Sequence, residues 1–366
     1  MRAGHSCCCW IVSFLLLIPF ATSSSGDASE TFKDHFRLCR NDHCSSLFMV
    51  NEFEKVQPFY LRLLGWDCIE ECKHISMWQT VENLQQKNLE IPQFFGKWPF
   101  LRIIGIQEPA SMLFSLLNGF GHLYMIRKLR SQVPRNAPMY YAWHIYSLIS
   151  MHAWFWSTIF HTRDTIFTEK MDYFSAFSLN LSGIFMISWR SIALRNHGDV
   201  NLKVVLGSAA VLVLIFWRHV SYLSRLKRFD YGYNMKVNLL MGLINTVWWI
   251  GWSLRNIRRK PYLQKPVICV LAANLLLLLE LGDFPPLLWT FDAHSLWHAG
   301  TFPLIFVWYR LFPPLPQRTF DLHRDIFLKP LEMDQLSKQE LHPSLDYVFF
   351  MFYKVSDFDL LTSTNC

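Results

Sequence analysis

The chain has 366 residues, of which 52% are hydrophobic, 16% are aromatic and only 17% are charged. A soluble globular domain carries about 25% charged residues, so this composition argues against an ordinary soluble enzyme and is typical of a membrane protein. The formal net charge of +7 does not indicate nucleic-acid binding, because the sequence has no basic stripe with interleaved aromatic residues. Its Lys and Arg residues cluster between apolar segments instead.

Residues 1–25 have the pattern of a secretory signal peptide. Arg2 precedes a short apolar core, WIVSFLLLIPFA, and the small polar run TSSSG follows that core. The core is too short to span a bilayer comfortably, so we expect cleavage near residues 23–25 and a mature N-terminus in the lumen. An uncleaved membrane anchor is the alternative.

A mixed, polar region with four cysteines follows at residues 26–100. The cysteines are Cys39, Cys44, Cys68 and Cys72. An even number of cysteines behind a secretory signal favours disulfides over a metal site, because the compartment is oxidising. We therefore predict a small luminal domain with two disulfides. Four cysteines allow three pairings, and the sequence does not choose between them.

Seven apolar segments follow this luminal domain. Their runs are continuous rather than alternating, and an open sheet in lipid would leave its edge strands unpaired, so the segments predict helices. We place them at residues 107–126, 139–161, 173–194, 202–222, 237–254, 267–287 and 295–312. The predicted fold class is an all-α membrane protein with a seven-transmembrane-helix bundle over residues 101–312. The Pro-rich and then charged residues 313–366 predict a cytosolic tail that is partly disordered.

The distribution of basic residues tests the direction of these segments. With a luminal N-terminus, the first, third and fifth connections face the cytosol, and all three are basic, as the positive-inside rule requires. The second connection is acidic or balanced, and the sixth has no Lys or Arg. The fourth connection holds Arg225, Lys227 and Arg228 and is basic although it should be luminal. The majority of connections favours a luminal N-terminus and a cytosolic C-terminus.

Five polar or ionisable residues lie at the predicted luminal ends of three segments. Ser157 and His161 lie four residues apart at the end of the second segment, and His294 and His298 have the same spacing at the start of the seventh. A spacing of four residues places both side chains of a pair on one helical face. Asp172 opens the third segment on the same side. These residues are therefore expected at one level of the membrane.

Three imidazoles with an open fourth position form the ligand set of a catalytic zinc site. Such a metal lowers the pKa of bound water toward ~7 and polarises a carbonyl group, which suits hydrolysis of an ester or amide. We expect His161, His294 and His298 as ligands. Asp172 would take the proton from that water or orient a ligand, and Ser157 would donate a hydrogen bond to the developing oxyanion. A structural zinc ion, or a haem held by two histidines, is the alternative.

Several runs of the sequence strongly resemble the Per1-like family. They are GWDCIEECK, IPQFFGKWPF, QEPAS, AWFWSTIFHTRDTIFTEKMDYF, VSYLS, RFDYGYN, LELGDFPPLLW and DAHSLWH, and they cover most of residues 60–298. The chain is similar more widely to a superfamily of seven-helix metal-dependent hydrolases that includes alkaline ceramidases and adiponectin receptors. That superfamily shares Ser-x-x-x-His, a later Asp and His-x-x-x-His, matched here by Ser157, His161, Asp172, His294 and His298.

The resemblance implies remodelling of the lipid of GPI-anchored proteins. The implied reaction is a phospholipase A2-type hydrolysis of the sn-2 acyl ester to give the lyso form, with zinc inferred across the superfamily. GPI-anchored proteins and membrane lipid are the implied partners, and the Golgi membrane is the implied location, with the endoplasmic reticulum as the alternative. A non-catalytic receptor or escort for GPI-anchored proteins, with a structural metal, is the competing function. Relatives have six luminal cysteines, and this chain has His35 and Ser76 at two of those positions, which implies one disulfide fewer.

Overall fold

The computed structural model describes residues 25–194 and 198–310. The predicted signal peptide, apart from Ser25, and the predicted cytosolic tail lie outside the described residues. Within the described ranges the chain forms helices, and the connections between them contain isolated β-bridges but no β-strand. The helical fold class is therefore confirmed for this part of the chain.

Four helices form the N-terminal region. They are α1 (Glu30–His43), α2 (Leu47–Val56), α3 (Phe59–Leu63) and α4 (Cys68–Gln86). The starts of α1, α2 and α4 are set by the side chains of Ser29, Ser46 and Asp67, each of which accepts a hydrogen bond from a backbone N–H group of the first turn. Such N-caps satisfy donors that have no partner within the helix.

Two disulfides join the ends of α1 and α4. They link Cys39 to Cys72 and Cys44 to Cys68, which confirms the prediction of two bridges and selects one of the three pairings. The earlier cysteine of α1 bonds to the later cysteine of α4, and Cys44 at the end of α1 bonds to Cys68 at the start of α4. The two helices therefore run antiparallel. His35 and Ser76 lie one turn further along and continue this register. Ser76 is fully buried and its hydroxyl group has no hydrogen-bond partner, so this position is where an additional bridge would fit.

Seven further helices follow, one at each predicted apolar segment. They are α5 (Pro109–Gln132), α6 (Tyr140–Thr162), α7 (Ile166–Ser188), α8 (Leu202–Arg225), α9 (Tyr231–Asn256), α10 (Gln264–Gly282) and α11 (Ala293–Tyr309). A π-helical turn, Trp189–Ala193, extends α7. The prediction placed the starts of α7 and α9 too late, at residues 173 and 237. Asp230 starts α9 earlier by accepting a hydrogen bond from the Tyr233 backbone N–H group at 2.9 Å.

Six of the seven helices pack as a closed ring. Around the ring the order is α5, α6, α7, α9, α10 and α11, and α11 packs back against α5. Helix α8 lies outside this ring and packs against α7 and the π-helical turn. Most of its length is therefore exposed, and Val205, His219 and Leu223 are its buried residues.

Three of the described helices are long and apolar enough to cross a membrane. They are Leu202–Arg225, Tyr231–Asn256 and Pro261–Leu279, so the chain is a membrane protein. Helix α11 falls short because it has only 17 residues. Helix α5 buries polar side chains, including Ser111, Ser115 and Asn118, which lower its hydropathy. Seven membrane spans therefore remain a prediction.

Small polar residues form much of the helix packing inside the ring. Ser115, Ser150 and Ser175 are buried, and each donates its hydroxyl hydrogen to a carbonyl group one turn earlier in its own helix. Their hydrogen bonds are thus satisfied locally, and their small size lets neighbouring helices approach closely, as in membrane bundles. The ring is consequently tight enough to hold polar side chains of different helices in contact.

Candidate metal centre

His161, His294 and His298 come together at one end of the ring, which we call the histidine end. His161 lies in the last turn of α6, and the other two lie in the first turns of α11. One ligand nitrogen from each histidine lies within 4.8 Å of the others. The Nε2 atoms of His294 and His298 are 2.8 Å apart. The three imidazoles that the sequence placed at one membrane level are thus in mutual contact.

Backbone and cap contacts hold these two helix ends in place. Asp292 starts α11 by accepting a hydrogen bond from the Ser295 backbone N–H group at 2.8 Å, which sets where His294 and His298 lie. The backbone N–H group of Glu108, just before α5, donates to the His161 carbonyl oxygen at 2.9 Å. The start of α5 is therefore attached to the end of α6 at the site itself.

Asn118 joins α5 to α11 at the same level. Its side-chain amide donates a hydrogen bond to the His298 carbonyl oxygen at 2.9 Å, and its amide oxygen accepts one from the Thr301 hydroxyl group at 3.3 Å. Asn118 is fully buried, so water does not compete for these bonds. The second helix that supplies ligands is thereby fixed relative to α5.

The Glu108 carboxylate sets the protonation of the His161 ring. Its Oε2 atom lies 2.8 Å from Nδ1 of His161, and a carboxylate can only accept, so Nδ1 carries the proton. The lone pair of His161 is then on Nε2, which is buried and has no hydrogen-bond partner. A carboxylate on the far nitrogen is the usual support of a metal-bound histidine. Together with the imidazoles of His294 and His298, an imidazole held in this way forms a set of three nitrogen donors that suits a zinc ion.

Lys97 balances the charge of Glu108. Its ammonium group pairs with Glu108 and with Asp164, whose Oδ2 atom is 2.8 Å away, and it lies 4.1 Å from the centroid of the Phe160 ring. Burial lowers the pKa of Lys97, but the two carboxylates outweigh burial and hold the pKa above its ordinary range. Lys97 therefore stays charged and keeps the Glu108 carboxylate facing His161.

Two serines connect His298 to α6. The Ser115 hydroxyl oxygen lies 3.4 Å from Nδ1 of His298 and 3.0 Å from the hydroxyl oxygen of Ser157. Ser115 donates its own hydrogen to the Ser111 carbonyl oxygen at 2.7 Å, so it can accept from the other two groups. Ser157 thus lies beside the histidines, as predicted, and contacts them through Ser115.

Asp172 lies in the second turn of α7 and is partly buried. Its carboxyl group interacts electrostatically with His161 and His294 and also with Lys97. The structure therefore brings all five residues predicted from the sequence to the histidine end, although their roles remain a proposal.

The Per1-like family model matches residues 58–313, a range that contains every residue of the site. The chain belongs to the Per1-like family. Membership confirms the resemblance carried by the sequence runs around His161 and His294.

Curated relatives of this Per1-like chain match most of its length. A protein named GPI-specific phospholipase A2-like PGAP3 from Xenopus tropicalis is 45% identical over 295 residues, which are 81% of this chain and 91% of the relative. The Homo sapiens protein of the same name is 45% identical over 284 residues, 78% of this chain and 87% of the relative. Post-GPI attachment to proteins factor 3 from Drosophila melanogaster is 37% identical over 297 residues, 80% and 89% of the two chains. No solved structure shows significant similarity to the chain.

Three residues of the site were not predicted from the sequence. Glu108, Lys97 and Ser115 contact the histidines or their partners, yet none has a spacing motif relative to them. A signal for Glu108 does exist, because it is an acidic residue directly before Pro109, at the start of an apolar segment. An ionisable group at such a position is costly in a membrane protein unless it has a partner.

The N-terminal region also reaches the histidine end of this Per1-like chain. Two guanidinium groups contact the Trp66 ring, at 3.8 Å from its centroid for Arg163 and 4.5 Å for Arg102, and its indole N–H group donates to the Gly105 carbonyl oxygen at 2.9 Å. Arg163 follows His161 by two residues, and Arg102 pairs with Glu71 of α4. Cation–π contacts and ion pairs therefore attach the disulfide-linked helices beside the site.

Proposed function

We propose that this chain remodels GPI anchors by hydrolysing the sn-2 acyl ester of GPI-anchored proteins. The observation that carries the proposal is the group of three histidines, with His161 oriented by a buried carboxylate, in a chain whose relatives are named GPI-specific phospholipase A2-like. The reaction consumes one water molecule and breaks the bond between the acyl carbon and the sn-2 oxygen. The fatty acid leaves, and the sn-2 oxygen takes a proton to give the lyso form.

Zinc is the proposed metal, held by Nε2 of His161, His294 and His298. Neutral imidazoles suit zinc, and three protein ligands leave one position open for water or substrate. When bound, the ion supplies a Lewis acid for the ester carbonyl and a water molecule of lowered pKa. Glu108 keeps the proton of His161 on Nδ1, so that its Nε2 lone pair stays available.

The remaining residues handle protons and charge. Asp172, which interacts electrostatically with His161 and His294, is the proposed general base, which takes a proton from the attacking water. Ser157 is the proposed donor to the oxyanion that develops on the ester carbonyl. Because Ser115 uses its own hydrogen on the Ser111 carbonyl oxygen, the Ser157 hydrogen rests on the Ser115 oxygen and would turn from it to the oxyanion as charge develops there.

The seven-span topology and the location belong to the same proposal. With a luminal N-terminus and a cytosolic C-terminus, the histidine end lies at the luminal surface of the Golgi membrane, or of the endoplasmic reticulum as the alternative. A lipid ester meets water at that level. Residues 26–100 would then be the luminal domain, with disulfides that suit an oxidising compartment.

The test is mass spectrometry of the fatty acid released from a diacyl GPI-anchored protein by the purified chain. Wild type should release the sn-2 acid, and a folded His294→Ala variant should release none. His152→Ala is the matched control, since His152 lies on α6 but is exposed and contacts Trp156 rather than the histidines; it should keep full activity.

Two results would count against this function. If wild type releases no acid while it binds both metal and substrate, the chain is better described as a receptor or escort with a structural metal. If His294→Ala unfolds the protein instead of silencing it, the metal supports the fold rather than the reaction.

A further inference from the structure

The basic connection between α8 and α9 lies at the histidine end. In the proposed topology that end is luminal, where the positive-inside rule does not predict basic residues. Phe229 in this connection stacks on Tyr173 of α7 with ring centroids 4.9 Å apart. The Tyr231 hydroxyl group donates a hydrogen bond to Glu169, also on α7. Both α7 residues are within one turn of Asp172. The end of α8 and the start of α9 therefore share one end of the bundle with the proposed metal centre.

A cavity of about 310 Å³ lies between the end of α8 and the start of α9. Arg218, Ser221 and Arg225 of α8 line it, together with the rings of Tyr222 and Tyr233. We call this cavity the arginine groove. Its wall on the α9 side is well supported, because the Tyr233 ring stacks on the buried His219 ring with centroids 5.3 Å apart.

The polar residues of the groove form one stripe along α8. Arg218, Ser221 and Arg225 are spaced by three and four residues, so they lie on the same helical face. The two arginines are about 10.5 Å apart along the helix axis at 1.5 Å per residue. Two guanidinium groups at that spacing can reach one anionic group held beside Ser221. Guanidinium groups bind phosphate oxygens in a bidentate manner, which favours a phosphate group as that anion.

The arginines of the groove are available for a ligand. Arg218 and Arg225 are both exposed, and neither forms an ion pair with a described carboxylate. The acid nearest in sequence, Asp230, accepts hydrogen bonds from the Tyr233 backbone N–H group at 2.9 Å and from the Tyr222 hydroxyl group at 3.3 Å. Asp230 therefore positions the two tyrosines of the groove and leaves the arginines without a counter-ion.

An apolar surface continues directly from the groove along α8. Leu214 and Val211 lie on the arginine stripe one and two turns below Arg218, and both are 58% exposed. Trp217, at the edge of the groove, is also 58% exposed, and tryptophan favours the interface between membrane and water. Because α8 lies outside the ring, this face meets lipid. A headgroup site above an exposed apolar stripe fits a lipid better than a free anion.

We propose that the arginine groove binds the phosphodiester headgroup of an anionic membrane lipid, whose acyl chains lie along Val211 and Leu214. This inference goes beyond the proposed function, because it uses none of the metal-site residues and none of the proposed chemistry. It also gives the basic connection with Arg225 a role at an end of the bundle where basic residues are not expected from topology.

The test is native mass spectrometry of the purified full chain in detergent, titrated with phosphatidylinositol or with phosphatidylcholine. Wild type should retain phosphatidylinositol in preference to phosphatidylcholine. Arg218→Gln/Arg225→Gln should weaken phosphatidylinositol binding by about tenfold or more, since two charge-assisted contacts are lost. Arg218→Lys/Arg225→Lys should keep part of the binding, because it preserves the charge but not the bidentate geometry.

A matched control removes two arginines from the opposite end of the bundle. Arg127 and Arg130 lie near the end of α5 and are exposed, so Arg127→Gln/Arg130→Gln should leave phosphatidylinositol binding unchanged. The proposal is overturned if the groove variant binds phosphatidylinositol like wild type, or if phosphatidylcholine binds equally well. It is also overturned if inorganic phosphate displaces the lipid completely, because the groove would then be a simple anion site. None of these outcomes depends on whether the chain hydrolyses an ester.

Discussion

The two ends of the helical ring bury histidines to the same extent but surround them differently. His161 and His298 at the histidine end are each 2% exposed, and His122, toward the other end of α5, is 3% exposed. His122 donates or accepts one hydrogen bond with the Tyr309 hydroxyl group at 3.1 Å, and its ring packs against those of Tyr146 and Tyr309. His161 instead has a carboxylate on one nitrogen, an unpartnered second nitrogen and two imidazoles beside it.

This difference separates a histidine that packs from a histidine that can bind. Burial does not distinguish them, since a buried polar group needs a partner in either case. What distinguishes them is the kind of partner: a neutral tyrosine bonds to His122, whereas Glu108 leaves His161 with a lone pair on Nε2 that has no hydrogen-bond partner. The contrast predicts that changes at the histidine end alter chemistry, and that changes at the other end alter stability.

Among changes that leave the three histidines in place, the largest effect is expected from Asp172→Asn. Loss of the proposed general base should lower acid release by about 10²–10⁴-fold, while metal content stays that of wild type. Glu169→Gln is the matched control, because Glu169 lies three residues earlier on α7 and bonds to Tyr231 rather than facing the histidines. Equal losses in the two variants, measured as rates of fatty-acid release, would show that Asp172 has no special role.

Glu108→Gln should act on metal affinity rather than directly on the reaction. The glutamine side chain is uncharged and orients His161 less firmly, so metal binding should weaken by about 10–100-fold. Competition with a chelator on the purified protein measures this affinity. Lys97→Met should weaken metal binding less than Glu108→Gln does, because it leaves the carboxylate in place. An unchanged affinity in Glu108→Gln would remove Glu108 from the site.

His122→Phe tests the opposite end of the comparison. The substitution removes the hydrogen bond between the His122 ring and the buried Tyr309 hydroxyl group, which should cost about 0.5–1.5 kcal/mol of stability. Thermal unfolding in detergent should therefore occur at a lower temperature, while metal content and rate of acid release stay unchanged. A loss of metal in this variant would mean that the two ends of the ring are not independent.

The smallest effect on the site is expected from a change far from the histidines. His35→Cys/Ser76→Cys continues the antiparallel register of the two existing bridges between α1 and α4. Oxidation should join the new pair and stabilise the N-terminal region by about 2–4 kcal/mol, without altering activity. Unfolding curves with and without reductant measure the gain, and His35→Cys alone serves as control. Free thiols at both positions after oxidation would show that the register is wrong.

Local patterns explain what could be predicted from the sequence. The helix positions follow from continuous apolar runs, and the contact between His294 and His298 follows from a spacing of four residues on one helix. Glu108 was missed because its contact with His161 joins residues 53 positions apart and depends on how the start of α5 packs against the end of α6. The disulfide pairing was open for the same reason, since it depends on the antiparallel packing of α1 and α4.

The central claim is that three histidines of two helices hold one metal ion, and metal analysis tests it most directly. The measurement is the ratio of metal to protein, by inductively coupled plasma mass spectrometry, for purified wild type and for a folded His161→Ala variant. The account predicts one zinc ion per wild-type chain and none in the variant. A wild-type chain without stoichiometric metal, or a variant that retains it, would contradict the account.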